Sequence, residues 1–95
     1  MEDHQISIFD AAKKALRITV DAYDDEIREL IDAAIADLKI VDISWASDVT
    51  DPLVRRAIIT YVRVFFGSPD DFERLKQAYD EQKDQLRMHR HTHEG

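Results

Sequence analysis

Four groups of side chains in this 95-residue chain are of types that can do chemistry. His89, His91 and His93 alternate near the end of the sequence, a pattern able to hold a divalent metal. Asp24, Asp25 and Glu26 form an acidic run of the kind that ligates a cation or divides general acid and base work. Asp42, Asp48 and Asp51 offer the oxygen ligands that calcium prefers. Arg55 and Arg56 precede Phe65 and Phe66, a basic and aromatic combination met in nucleic-acid binding. Each group also has a plainer reading. The histidines lack an anionic ligand and any rigid support. The acidic run suits the positive end of a helix dipole. The three aspartates lack the glycine and the ligand spacing of an EF-hand loop. The arginines fall on a very apolar segment, where their stems lie along the core and only their heads reach water. Three of the four histidines lie in the last seven residues, so no Ser-His-Asp set is credible. Gly67 and Gly95 are the only glycines, too few for a phosphate loop. The chain therefore reads as a non-enzyme, with no catalytic residues, no cofactor and no metal site.

The elements that carry these residues follow from composition. With 44% hydrophobic residues the chain can build one small core, and its length allows one domain. The absence of cysteine excludes disulfide scaffolds, thiolate zinc sites and thiol catalysis. No apolar run approaches the ~20 residues of a membrane span, and the acidic start, Met1 to His4, has no signal-like apolar stretch. The chain reads as cytosolic, or as part of an assembly built in a cytosol. Two glycines and two prolines are too few for a turn-rich β fold. The expectation is all-α, a small bundle of about four helices.

The punctuation places them. Ser7 and Asp10 resemble a capping box, and Phe9, Ala12 and Leu16 recur at helical spacing, which predicts a helix over about 8–16. The acids at 24–26 open a second helix over about 24–39, with Ile27, Leu30, Ile31, Ala34, Ile35 and Leu38 on one side. Residues 40–51 follow neither period and read as a loop that holds the only tryptophan, Trp45. Asp51 and Pro52 start a third helix over 52–66, apolar over much of its circumference and so the central one, with Gly67 as its stop. Ser68 and Pro69 start a fourth over 69–88, where Phe72, Leu75, Tyr79 and Leu86 form a narrow stripe with Gln82 in the gap. At about 30 Å that helix exceeds what a three-helix core needs, so Tyr79 and Leu86 are expected to continue the stripe onto a partner. The single domain spans 1–88, and 89–95 form a flexible His-rich tail.

Charge is unevenly spread. Residues 1–51 hold thirteen acids and five bases, a net of −8, while residues 52–68 hold Arg55, Arg56 and Arg63 and no acid. Residues 69–95 bring −2, for a total of −7. This balance argues against non-specific binding to DNA or an anionic membrane. Two readings of the asymmetry stay open: ion pairing within the subunit, or head-to-tail association in which an acidic face meets the arginines of the next copy. Trp45 is likewise either a lid on the core or an interface anchor.

The order of elements is similar to a known family. The run from Ala12 through Lys13, Lys14, Ala15, Leu16 and Arg17 to Ile18, then Tyr23 to Ile27, Leu30 to Ala34 and Asp37 to Lys39 resembles the head–tail connector proteins of tailed bacteriophages and prophages. The resemblance continues through Asp51 to Val54, Ala57-Ile58, Tyr61-Val62, Phe66-Gly67 and the late Tyr79, and covers residues 8–88. Where many relatives have a glycine after the second helix, this chain has Val41-Asp42. The resemblance implies a small helical virion protein, assembled in the bacterial cytoplasm, without catalysis. It implies a homo-oligomeric ring on the portal protein at the head–tail junction, extending and closing the DNA channel. A downstream connector or tail protein would dock on that ring, and DNA would pass through without sequence-specific binding; no membrane is involved. On this reading Trp45, Arg55, Arg56, Tyr79 and Leu86 are the candidate subunit or portal interface. The other function class is a small helical module of a mobile element that binds a host protein; stoichiometric binding to that protein without affinity for portal separates the two.

Overall fold

The computed structural model describes residues 7–67 and 69–94, with side chains to residue 88. Four α-helices follow in order: α1 Ile8–Leu16, α2 Asp24–Ile40, α3 Pro52–Phe65 and α4 Phe72–Glu94. A 3-10 turn, Ser44–Ser47, lies between α2 and α3. The molecule is a slab of 42 × 39 × 17 Å, less than two helix diameters thick. α3 is the hub, packing against α1, α2 and α4.

Local chemistry sets the helix ends. The Ser7 hydroxyl accepts the Asp10 N–H at 3.0 Å and so opens α1. α1 closes with Arg17 in the left-handed region (φ 61°). The N–H of Arg17 donates to the Lys14 carbonyl and that of Ile18 to the Lys13 carbonyl, a Schellman closure. α2 ends the same way. Asp42 (φ 70°) takes the left-handed position, and Ile43 N–H donates to the Leu38 carbonyl. Aspartate is a residue type that tolerates this left-handed cap. Asp51 opens α3, its carboxylate accepting the N–H groups of Leu53 (2.8 Å) and Val54 (3.4 Å) ahead of Pro52. Gly67, at φ 67°, ends it.

Two boundaries differ from expectation by more than one residue. α4 begins at Phe72, not at residue 69. Asp71 supplies the first helical acceptor, its carbonyl taking the Leu75 N–H at 3.0 Å, and its carboxylate pairs with Arg74. The chain needs Pro69 to Asp71 to turn back so that the Phe72 ring can meet Phe65 at 6.5 Å. Ser68, expected as the cap, lies outside the described residues. At the other end α4 runs on through Glu94, so residues 89–94 continue the helix instead of leaving it at 88.

The core follows the predicted stripes. Ile27, Ile31, Ala34 and Leu38 of α2 are buried, at spacings of 4, 3 and 4. α3 buries Val54, Ala57, Ile58, Thr60, Val62 and Val64, which span much of its circumference. The buried Thr60 hydroxyl donates to the Arg56 carbonyl at 3.0 Å, which satisfies it within its own helix. Residues 40–51 are more than a connection: Ile43, Trp45 and Ala46 are buried in the same cluster as α2 and α3.

Candidate functional site

The acidic groups singled out by the sequence serve the fold, each in its own place. Asp24 receives the Lys13 ammonium at 2.9 Å, and this bond holds Lys13 above its ordinary value. Arg28 pairs with Asp25 (3.9 Å) and lies over the Phe9 ring at 4.1 Å. Asp51 caps α3, Asp48 accepts the Thr50 N–H at 3.2 Å, and Asp42 ends α2. Among the described residues no three His, Asp or Glu side chains converge on a common point. The side chains of His89, His91 and His93 lie outside the described residues.

The five interface candidates fall into two sets. Tyr79 is 4% exposed and Leu86 fully buried, so the α4 stripe closes the subunit's own core. The expectation that it runs beyond that core is corrected. The reason is the connecting segment: Ile43, Trp45 and Ala46 enlarge the core, and Tyr79 and Leu86 belong to the same cluster. Trp45, 8% exposed, is a lid on this cluster. Arg55 and Arg56 lie elsewhere, on α3. The Arg55 guanidinium donates to the carbonyls of Val49 (3.3 Å) and Ser7 (3.5 Å), tying the start of α3 to the preceding loop and to the cap of α1. Arg56 is exposed.

Tyr79 anchors a polar network that the sequence did not reveal. Its hydroxyl donates to Asp37 Oδ2 at 2.6 Å, and Lys83, one turn on, donates to the same oxygen at 3.2 Å. The Lys83 ammonium also lies 5.0 Å from the Tyr79 ring centre. Burial, then the Asp37 carboxylate, raises the Tyr79 phenol well above its ordinary value, and the same two causes raise Tyr61. The spacing of Tyr79 and Lys83 is visible in the sequence, but their partner is 42 residues away on another helix.

An open groove lined by charged residues runs between α3 and α4. Its first half, about 480 Å³, runs past Arg55, Arg56, Arg63 and Arg74, with Ile59 and Leu75 among its apolar lining. The second half, about 510 Å³, shares Arg56 and Gln82 and continues to Glu81, Asp84 and Met88. Arg63 and Arg74 were not among the candidates. Arg63 carried a signal, since it lies two turns from Arg56 on the same line of α3. Arg74 carried none, because the packing of α4 on α3 brings it there. The first half of the groove has four arginines and no acid in its lining, and the second half adds Glu81 and Asp84. No described helix is long and apolar enough to cross a membrane.

Comparison with known proteins adds one finding. Residues 8–93 match the sequence model of the family described as phage connector protein. Searches of curated proteins and of solved structures returned no match.

Proposed function

The chain belongs to the phage connector protein family, and on that premise we propose that it is the subunit of a homo-oligomeric ring seated on the portal protein at the head–tail junction. The family is a structural one, without enzymatic activity, and it implies a component of the virion. The ring extends and closes the DNA channel and presents the surface on which the next connector or the tail docks. Subunits assemble on the portal in the bacterial cytoplasm.

The family match across residues 8–93 carries this reading. Physical features support it. The subunit is a thin slab that can stand beside its neighbours around an axis. Its net charge of −7 suits a channel that lets the duplex pass without holding it. Arg56 and its groove supply a basic surface for contact with another chain, while Trp45, Tyr79 and Leu86 support the frame behind it. Deletion of the gene from the phage or prophage tests the proposal. DNA-filled heads without tails, restored by the gene in trans, are expected. Normal tailed particles lacking this protein would overturn it.

A further inference from the structure

Two surfaces of the subunit remain open to solvent; within the second, Asp25 is paired, among the described residues, only with its helix neighbour Arg28, at 3.9 Å. The first is the arginine half of the α3–α4 groove. Arg56 and Arg63 are exposed there, and neither has an ion-pair partner among the described residues. Gln82 lines both halves of the groove. The second surface is a line along α2: Asp25, Glu29, Asp32, Ala36 and Ile40. All five are exposed, and their spacings of 4, 3, 4 and 4 set them opposite the buried Ile27, Ile31, Ala34 and Leu38. We infer that the α3–α4 groove receives the outer face of α2 from a second copy of this chain, head to tail.

The two surfaces fit in length and in charge order. Arg56 and Arg63 are two turns apart, about 10.5 Å along the axis, as are Asp25 and Asp32. With Asp25 over Arg63 and Asp32 over Arg56, the incoming α2 runs antiparallel to α3 and alongside α4. Ala36 and Ile40 then lie over the second half of the groove. That half holds Glu81 and Asp84, and the uncharged end of the α2 line avoids setting like charges together. Ile40, about 12 Å beyond Asp32, reaches the end of the groove where Met88 lies. Both side chains are 78% exposed in the single subunit, more than any other large apolar side chain described.

The surfaces also face opposite ways. α2 packs on α3 through the stripe opposite its acids. On α3, Arg56 and Arg63 project roughly opposite Val54, Ile58 and Tyr61 by the 100° step of the helix. Each copy thus offers one groove and one acidic line, and neither surface is self-complementary. Repetition of such a heterologous contact closes a ring when the rotation allows. The inference rests on the ring reading for its biological role, but its contact is tested separately.

The chain contains no cysteine, so an engineered pair reports one contact alone. The variant Ile40→Cys/Met88→Cys is oxidised mildly, alone at high concentration and on portal rings from the same genome, and run on a denaturing gel. A ladder through dimer, trimer and higher species is expected, because a head-to-tail contact links every copy to two others. In parallel, Arg56→Glu/Arg63→Glu and Asp25→Arg/Asp32→Arg should each weaken self-association at least tenfold, and the four changes together in one chain should restore most of it. All of these positions are exposed, and unchanged circular dichroism and melting confirm the fold of each variant. A cross-link that stops at dimer would overturn the inference in favour of a two-fold contact. Oligomers with no cross-link and indifferent to charge reversal would overturn this contact and leave the ring reading standing. A chain that stays monomeric alone and on the portal would overturn both.

Discussion

Replacement of Tyr79 by phenylalanine isolates one bond at the junction of α2 and α4. The phenol donates at 2.6 Å to the Asp37 carboxylate, and Tyr79 is 4% exposed, so its ring stays packed when the hydroxyl is removed. A hydrogen bond to a charged group contributes about 1.5–3 kcal/mol. Asp37 keeps Lys83 at 3.2 Å, and its side chain is 34% exposed, so water repairs part of the loss. The lower end applies, about 1.5 kcal/mol. For a domain of this size that is a fall in Tm of roughly 6–12 °C. Urea denaturation followed by far-UV circular dichroism measures it, and Asp37→Asn with the double variant completes a cycle. A coupling of about 1 kcal/mol between the two positions is expected. A loss for Tyr79→Phe below about 0.3 kcal/mol, or strict additivity, would refute the claim that this network ties α4 to α2.

Further predictions concern the same frame. The folded-state proton of Tyr79 is held more tightly than in the unfolded chain, so its contribution is complete below the ordinary phenol value of 10.0 and is lost as pH rises above it; stability should fall less steeply there in Tyr79→Phe than in the parent chain, and equal slopes would contradict this. Asp51→Ala removes the acceptor for two orphan N–H groups of α3 and should cost about 1–2 kcal/mol in the same denaturation assay. Leu86→Ala opens a cavity in the core and should cost about 2–4 kcal/mol; a smaller effect on stability than on assembly would return Leu86 to the surface.

Where a boundary or face was legible, a local signal carried it. Ser7, Asp51-Pro52 and Gly67 each satisfy or stop a helix end with their own side chain or backbone, and the structure uses all three. The stripes of α2 and α3 were legible for the same reason, because a buried face repeats at helical period within one segment. The segment around Trp45 was not. Ile43, Trp45 and Ala46 are buried by a single 3-10 turn, too short to show a period. Without that segment the expected core is too small, and Tyr79 and Leu86 fall beyond its edge. The Asp37–Tyr79 bond was beyond reach because the pairing of α2 with α4 is a property of the packed bundle. The basic groove was half visible: Arg56 and Arg63 share a line of α3, while Arg74 joins them only through the hairpin that Gly67 and Asp71 shape.

The central claim, that this subunit builds a ring on the portal, is tested most directly by native mass spectrometry of the purified chain mixed with portal rings from the same genome. The account predicts co-assembly, with a whole ring of connector subunits added to each portal and lost as ionic strength rises. A chain that leaves the portal ring unaltered in mass, at concentrations where it is folded and in excess, would contradict it.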